Sequence, residues 1–400
     1  MEICAIIAEY NPFHKGHLNQ INLAKKLSGC EKIVCFLSQN FSQRGLPTIL
    51  DKKTRSLMAI SCGADAVLEL PTALTTLNAE LFAKFMIKSI LSFKEIKYVC
   101  FGSECGDINL ILEVAKFLNS EPQFFKEVLK NFLDLGYSLN LAKSKALEFC
   151  IDKNLISFGD NSAAKTLLKY PNNILAVEYA KILLKQKSKI TPLTYKRTDD
   201  FSASKIREIL YETKDEKSIE KYIPKNAYNL IKAKTNFPDT KLFDNLLLSS
   251  LKTIKKENLK NIFDVSEGLE NKIKNEAQNA ISFDEFLENV CQKRYTKNRI
   301  RRIALHALLN IDKNIIKKAQ KLAYPPYLKI VALKKDKELL NSLSKTKTNL
   351  VLRKCDADKL KTTSLAQILN EIDNTANSIY SLLTFEKQTK NNLYEKTMFI

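Results

Sequence analysis

The chain has 400 residues, 45% of them hydrophobic, which is typical of a folded protein, and this length exceeds what one compact core usually organises. Its 64 lysine and arginine residues outnumber its 44 aspartate and glutamate residues, and the net charge of +20 attracts polyanions, either nucleic acid or anionic membrane. No apolar run approaches the roughly 18 residues of a membrane span, and the short apolar start has no basic leader, so we expect a cytoplasmic protein without a membrane partner.

Nine cysteines are scattered along the chain without a CxxC pair. An odd number at irregular spacing is not the pattern of a disulfide framework or a zinc knuckle. We therefore expect reduced thiols, most of them buried, at positions 4, 30, 35, 62, 100, 105, 150, 291 and 355.

The first part of the chain alternates short apolar runs with helical patterns, as βαβ units do. Buried parallel strands are predicted at residues 3–8, 32–38, 66–70, 98–101 and 191–195. Helices are predicted at residues 17–27, 51–62, 78–91 and from about 172, with Asp51 and Asn78 as N-caps. Ligands of open α/β sheets bind beyond the carboxyl ends of the strands, so residues 9–17, 38–47 and 101–106 should meet at one edge, which we call the rim.

Glycine usage divides the chain, because eight of the nine glycines lie at or before Gly159 and only Gly268 lies beyond it. The glycine-poor second part, rich in lysine, leucine, isoleucine and asparagine, suits helices. We predict an α/β fold with two domains. Residues 1–212 would form an open parallel-sheet, Rossmann-like domain, and residues 213–400 a mainly helical, basic one.

The segment from Glu9 to His17 follows the first strand and contains two of the three histidines, His14 and His17. A helix N-terminus offers unpaired N–H groups and a positive dipole end to phosphate, and imidazoles add further donors. Gly16 permits close approach of the backbone. An HxGH motif after a strand resembles the signature of the HIGH-type nucleotidyltransferases, although two histidines can also simply cap a helix.

A second motif spans residues 202–208, where hydroxyl groups and two cations surround a predicted helix start. Ser204 would cap this helix. Lys205 and Arg207 could neutralise pyrophosphate as it leaves the α-phosphorus, so with His14 and His17 they are the candidate catalytic residues. The motif resembles the second motif of the same superfamily. A serine-capped helix with solvated charges is the plain alternative.

Longer strings give a closer resemblance, at residues 6–17 (IIAEYNPFHKGH), 39–45 (QNFSQRG), 63–71 (GADAVLELP), 101–104 (FGSE), 171–175 (PNNIL) and 293–302 (KRYTKNRIRR). Together they resemble the bacterial tRNA(Met) cytidine acetate ligase family. The resemblance implies ATP-dependent ligation of acetate to N4 of the wobble cytidine of elongator tRNA(Met), through an acetyl-adenylate and with Mg²⁺. Ala176 stands where the family has glycine, and residues 327–335 lack a glycine expected there.

Carried over residue by residue, the resemblance implies an ATP site along the first motif and at the ends of later strands. Asn173 competes with Asn172 for its role in that site. The implied residues are Ile7, Ala8, Glu9, Tyr10, Asn11, Pro12, Phe13, His14, Lys15, Gly16, His17, Leu18, Asn19, Gln20, Gly102, Asn172, Arg197, Ser202 and Ser204.

Residues 293–302, here called the basic segment, contain six cations and no acid. Apolar residues recur at helical spacing from Ile300, so one face should pack inward and the arginines should project outward. Phosphate contacts are the natural use of such a segment. The candidate tRNA-binding residues are Arg44, Lys293, Arg294, Arg299, Arg301 and Arg302.

Two other functions fit parts of the sequence. A small-molecule adenylyl- or cytidylyltransferase would share both motifs but would need no basic platform for tRNA. A non-catalytic RNA-binding factor could retain the fold without binding ATP. The sequence indicates no metal-ligand cluster and no obligate protein partner, and it does not indicate an oligomeric state.

Overall fold

The computed structural model describes residues 1–198, 202–212, 216–234, 236–266, 268–360, 364–387 and 392–400. Its centre is one mixed sheet with the strand order β5-β4-β1-β2-β3-β6-β7, in which β8 also pairs with β6. The strands are β1 Ile3–Ala8, β2 Lys32–Leu37, β3 Ala66–Glu69, β4 Ile96–Ser103, β5 Thr191–Lys196, β6 Tyr327–Leu333, β7 Asn349–Val351 and β8 Met398–Phe399.

The five strands predicted from the sequence are confirmed, and all of them run parallel. The apolar run at residues 327–333 forms a further strand, β6, which pairs antiparallel with β3. Every residue of β6 is buried, because β3 covers one edge while β7 and β8 cover the other. The sheet therefore takes three strands from beyond residue 212.

Ten helices of the described residues lie before residue 213. They are α1 Lys15–Ser28, α2 Lys52–Ser61, α3 Thr72–Thr75, α4 Ala79–Leu91, α5 Ile108–Ser120, α6 Gln123–Asp134, α7 Leu139–Asp152, α8 Asn161–Leu167, α9 Pro171–Lys185 and α10 Ala203–Glu212. Asp51 and Asn78 cap α2 and α4 as predicted, since their side chains accept hydrogen bonds from the N–H groups of Thr54 and Leu81.

The second half is mainly helical, as the scarcity of glycine predicts. Its helices are α11 Lys225–Lys232, α12 Thr240–Thr253, α13 Lys256–Asn261, α14 Leu269–Asn279, α15 Phe283–Val290, α16 Lys297–Leu308, α17 Lys313–Lys321, α18 Lys337–Ser344, α19 Lys354–Lys359 and α20 Ser364–Leu383. In the part of the chain that the structure describes, no helix combines the length and apolarity needed to cross a membrane.

Two hydrophobic cores lie on opposite faces of the sheet. The smaller core packs the side chains of Ile6 and Cys35 against α1, α2, α10 and α11. The larger core packs Ala5 and Phe36 against α4, α5 and α9 and continues without a break into α12, α16 and α20. All nine cysteines are free and six are buried, as expected. The boundary predicted after residue 212 stays a prediction, and residues 213–215 beside it lie outside the described part.

Candidate active site

The first motif lies at the N-terminus of α1, which begins at Lys15 rather than at His17 as predicted. His14 is the N-cap residue, and its Nδ1 accepts a hydrogen bond of 3.1 Å from the Gly16 N–H. Nδ1 of His17 accepts one of 3.2 Å from the His14 N–H. Because each Nδ1 is an acceptor, these hydrogen bonds assign the proton of each neutral ring to Nε2.

The two imidazoles are stacked, with ring centroids 3.8 Å apart. Burial, followed by the nearby Arg197 guanidinium, lowers the pKa of His14 to about 4. Burial, His14 and Arg197 lower the pKa of His17 well below its ordinary value. Both rings are therefore uncharged at neutral pH, and they offer N–H donors rather than positive charges.

Aromatic residues of the same motif fix the ring of His17. The Tyr10 ring lies edge-on to it at 4.8 Å and packs in the same way against Phe13. The Tyr10 hydroxyl is 3.3 Å from the Cys35 thiol, inside the smaller core. The orientation of the His17 imidazole is thus set by the packing beneath it.

Loop residues 38–47 are joined to the first motif, as expected for the rim. The Glu9 carboxylate accepts a hydrogen bond of 2.6 Å from the Gln43 N–H. The fully buried Arg55 guanidinium donates to the carbonyl groups of Glu9, Ser38 and Gln39. Since these carbonyl groups follow β1 and β2, Arg55 holds the two strand ends together, and it is a structural residue rather than a substrate contact.

Lys52 is also buried, and its ammonium group pairs at 2.9 Å with the Glu69 carboxylate. Lys52 therefore has a structural role in the core. Asp65 accepts a hydrogen bond from the Ile33 N–H at 2.9 Å and pairs with Lys334 at 3.0 Å. Asp65 therefore has a structural role at the start of β2 and β3.

Glu104 organises the N-terminus of α9. Its carboxylate accepts hydrogen bonds from the Asn172 N–H at 3.2 Å, the Asn172 Nδ2 at 2.7 Å and the Asn173 N–H at 2.7 Å. Asn173 is buried, and its side-chain oxygen accepts from the Glu104 and Cys105 N–H groups. The Asn173 side chain is therefore buried and used in structural hydrogen bonds. Asn172 is only half-buried, so the geometry favours Asn172 as the nucleotide contact.

Gly102 lies within β4, next to the side chains at the end of β5. A Cβ atom at this position would lie 2.8 Å from Arg197 Cγ and 2.9 Å from the Tyr195 ring, too close for either to stay in place. The Arg197 N–H donates to the Ser103 carbonyl at 2.9 Å. Gly102 therefore makes room for Arg197, whose positive charge helps to lower the pKa of both histidines of the first motif.

The second motif lies against the first. Arg207 Nη1 donates to the Asn11 carbonyl at 2.7 Å, and Arg207 Nη2 donates to the Ser204 hydroxyl at 3.0 Å. Burial and then the nearby Arg44 guanidinium lower the pKa of Arg207, while Glu9 raises it. Arg44, in loop residues 38–47, which we call the second rim loop, thus lies close to the candidate catalytic arginine.

The predicted cap of α10 is wrong by two residues. The helix begins at Ala203, so Ser204 lies inside its first turn, and the Ser202 carbonyl instead accepts the first helical hydrogen bond, from Ile206. Lys205 is exposed, with its ammonium group 5.8 Å from the Tyr222 ring centroid. The Tyr222 carbonyl also accepts from the Lys15 N–H at 2.8 Å. Tyr222 therefore touches both motifs, and no pattern in the sequence indicates it.

The arginines of the basic segment do not all project outward as predicted. Arg302 is buried, and its guanidinium lies 3.6 Å from the Asp264 carboxylate. Arg299 donates to the Asp264 carbonyl and the Ser266 hydroxyl, both at 2.9 Å. The prediction failed because Asp264 is held inside the helical half and needs positive partners there. Lys293 is exposed, and Arg294 and Arg301 are half-buried.

The basic segment adjoins the rim. A Cβ atom at Gly45, which has a φ of +78°, would lie 3.1 to 3.2 Å from the backbone of Arg301 and Arg302. The second rim loop therefore packs directly on α16, with the exposed Arg44 beside the contact. His306 on the same helix is fully buried, and its Nε2 is 2.7 Å from the Thr76 carbonyl.

The sheet, the histidine pair at a helix N-terminus after β1, and the cations of the second motif define a nucleotidyltransferase of the HIGH class. The family model for HIGH nucleotidyl transferases matches residues 1–395. A crystal structure of Thermotoga maritima TmcAL bound with alpha-thio ATP superposes with a TM-score of 0.91 at 28% identity and covers 100% of both chains.

Curated relatives narrow the class. The protein named tRNA(Met) cytidine acetate ligase from Clostridium perfringens (strain ATCC 13124) is 38% identical over 399 residues, which cover 96% of both chains. A relative of the same name from Thermoanaerobacter sp. (strain X514) is 37% identical and covers 96% of this chain and 95% of its own. The chain belongs to the tRNA(Met) cytidine acetate ligase family.

Proposed function

We propose that this protein ligates acetate to N4 of the wobble cytidine of elongator tRNA(Met), using ATP and forming N4-acetylcytidine. The observation that carries the proposal is the pair of neutral, stacked imidazoles at the N-terminus of α1, beside Arg197 and in a chain of this family, with Arg207 bonded to the Asn11 carbonyl of the same motif. Neutral Nε2–H donors and a helix N-terminus suit the phosphates of ATP. The cytoplasm, where tRNA is found, is the expected location.

In the first step, ATP binds along residues 7–20 and also contacts Gly102, Asn172 and Arg197. An acetate oxygen attacks the α-phosphorus, a new P–O bond forms, and the bond to the bridging oxygen of pyrophosphate breaks. Negative charge then accumulates on the pyrophosphate, where Lys205 and Arg207 supply positive charge. The protein acts by positioning the reactants and by electrostatic stabilisation, so it needs no covalent nucleophile.

In the second step, the cytidine N4 attacks the carbonyl carbon of the acetyl-adenylate. A C–N bond forms, the C–O bond to AMP breaks, and the proton lost from N4 passes to solvent water. His14 and His17 would hold the departing AMP through its phosphate. The exposed Arg44 and the cations of the basic segment lie next to the rim, where the RNA backbone would approach.

Mg²⁺ belongs to the proposal as an ion that enters with ATP. Within the described ranges, no group of three or more His, Cys, Asp or Glu side chains could hold a metal ion by itself. Mg²⁺ usually keeps several waters and binds substrate phosphates with one or two carboxylates. The residues present fit such an ion, with Glu9 as the carboxylate of the first motif, and the ion would supply further neutralisation of phosphate charge.

The test is to incubate the protein with ATP, labelled acetate and elongator tRNA(Met), and then to digest the RNA into nucleosides. We expect label in N4-acetylcytidine, one AMP per acetyl group transferred, and no label with a tRNA whose wobble base is changed to uridine. A small-molecule nucleotidyltransferase would instead join a nucleotide to a phosphorylated metabolite without acetate. That result, or failure to bind ATP at millimolar concentration, would overturn the proposal.

A further inference from the structure

The turn between α6 and α7 presents an aromatic ring on a fixed backbone. Gly136 has a φ of +81°, its N–H donates to the Leu133 carbonyl at 2.9 Å, and the Tyr137 N–H donates to the Phe132 carbonyl at 3.3 Å. This is a Schellman motif, in which the residue after the glycine packs on the last helical turn. Accordingly, the Tyr137 and Phe132 rings meet at 6.2 Å with an angle of 60°.

Two lysines from different parts of the chain converge on the half-buried Tyr137 ring. The ammonium group of Lys145, on α7, lies 5.1 Å from the ring centroid, and that of Lys293, in the basic segment, lies 5.6 Å from it. In the part of the chain described, neither ammonium group forms an ion pair with a carboxylate. The Schellman motif explains the contact with Phe132, but it does not require any cation.

The turn is connected to the rim through short contacts. Lys143, six residues after Tyr137, lies with its ammonium group 3.6 Å from the Glu80 carboxylate in the first turn of α4. Just before that helix, the Leu77 carbonyl accepts a hydrogen bond of 2.8 Å from Gln43 on the second rim loop. Lys293 lies just before α16, and Gly45 of the same loop packs against the backbone of that helix. The Tyr137 ring thus lies against the start of the basic segment, whose other end packs on the second rim loop.

We propose that Tyr137 is a stacking platform for an unpaired base of the RNA substrate, with Lys145 and Lys293 binding the phosphates on either side of that base. The inference rests on the proposed function, since it names where the RNA is held outside the reaction site. Unpaired bases stack on aromatic side chains, and cations beside the ring follow the backbone. An incoming base would replace one ammonium group on the ring, and that lysine would then pair with a phosphate.

Fluorescence gives a direct test, because the chain contains no tryptophan. The Tyr137→Trp variant carries a single indole at the platform, and stacking of a base should quench its emission when an anticodon stem–loop RNA is added. Tyr324→Trp is the matched control. Tyr324 is also half-buried, with the Lys347 ammonium group 5.9 Å from its ring, but Lys347 contacts Ser92 at the far end of α4. We expect quenching in the first variant and none in the second.

Affinity gives the second test. Tyr137→Leu should weaken binding of the stem–loop about tenfold, whereas Tyr137→Phe should stay within about twofold, because it keeps the ring. Lys145→Ala and Lys293→Ala should each reduce the slope of log Kd against log salt by about one. Binding of a fully paired RNA of equal length should not respond to Tyr137→Leu, since it offers no unpaired base.

Absence of quenching in Tyr137→Trp while the RNA is bound would overturn the proposal, and so would equal losses in Tyr137→Leu and Tyr137→Phe. The proposal would also be overturned if the Tyr137 variants changed the affinity for a protein and left the affinity for RNA unchanged. The acetate-dependent release of pyrophosphate without RNA should be unchanged in the Tyr137 variants and in Lys145→Ala. If the unaltered protein released no pyrophosphate and bound no RNA, the proposed function itself would fail, which is a different result.

Discussion

Positive charge in the candidate active site comes from arginine and lysine rather than from histidine. Hydrogen bonds to Nδ1 and burial keep His14 and His17 neutral, each with its proton on Nε2. A neutral donor can bind a phosphate oxygen without the cost of burying an imidazolium ion. In the proposed reaction the positive charge would come from Arg197, which lies close enough to lower the pKa of both histidines, and from Arg207 and Lys205 of the second motif.

The histidine pKa values give a prediction that needs no substrate. The pKa of His306, like that of His14, is lowered to about 4, chiefly by burial, and burial also lowers the pKa of His17 well below its ordinary value. These are the only three histidines, so an NMR titration of the free protein should show no histidine signal that titrates between about pH 6 and 8. A histidine titrating near its ordinary pKa would contradict the buried geometry.

The same pKa values fix the sign of a stability change. In the unfolded chain the histidines take up protons near a pKa of about 6.5, whereas the folded protein resists protonation until about pH 4. Between these values the unfolded state binds more protons. The free energy of unfolding should therefore fall as the pH drops from about 6.5 to about 4, as measured by urea unfolding.

Among the elements, α9 depends on a residue outside itself. It has no side-chain cap of its own, and Glu104 from the end of β4 accepts three hydrogen bonds at its N-terminus. The carboxylate also complements the positive end of the helix dipole. Because Asn172 is one of the donors, the same contact that starts the helix also positions a proposed ATP contact.

Glu104→Gln should therefore affect stability and nucleotide binding together. We expect a loss of about 1–2 kcal/mol in the free energy of unfolding and a weaker affinity for ATP, because the amide cannot accept all three bonds. Urea unfolding and calorimetry measure the two effects. Glu127→Gln, at an exposed position on α6, is the control and should change neither. Unchanged ATP binding in Glu104→Gln would show that Asn172 does not need this support.

At this scale the sequence predicted what local periodicity encodes and missed what tertiary contacts decide. The runs that became β1 to β5 and the caps Asp51 and Asn78 follow from spacing and residue type alone. The burial of Arg302 does not, because it depends on Asp264, which is 38 residues away in the chain. Likewise, His14 and His17 are recognisable as a motif, but the Nδ1 contacts that set their protonation exist only in the folded turn.

On the scale of the whole molecule, residues beyond 212 complete the sheet that carries the active site. β6 covers the edge of β3, and the buried Asp373 on α20 accepts hydrogen bonds from Gln39 at 2.7 Å and Thr72 at 2.7 Å. Gln39 belongs to the second rim loop. The sequence could not show this pairing, since the apolar run at 327–333 gives no indication of which strand it joins.

A fragment of residues 1–212 should therefore not fold as a monomer. Removing the second half would expose the edge of β3 and the apolar face that now packs against α12, α16 and α20. We expect aggregation, or a chain without cooperative unfolding, when the fragment is examined by size-exclusion chromatography and thermal denaturation. A soluble monomer that binds ATP like the full chain would show instead that the two predicted domains are independent.

The central claim is that the His14–His17 turn activates acetate on ATP. The most direct measurement is acetate-dependent exchange of labelled pyrophosphate into ATP, without RNA, in the unaltered protein and in His17→Ala. We expect exchange in the unaltered protein, a loss of at least about a hundredfold in His17→Ala, and nearly equal affinities of the two proteins for tRNA. Near-normal exchange in His17→Ala, or exchange that does not require acetate, would contradict the claim.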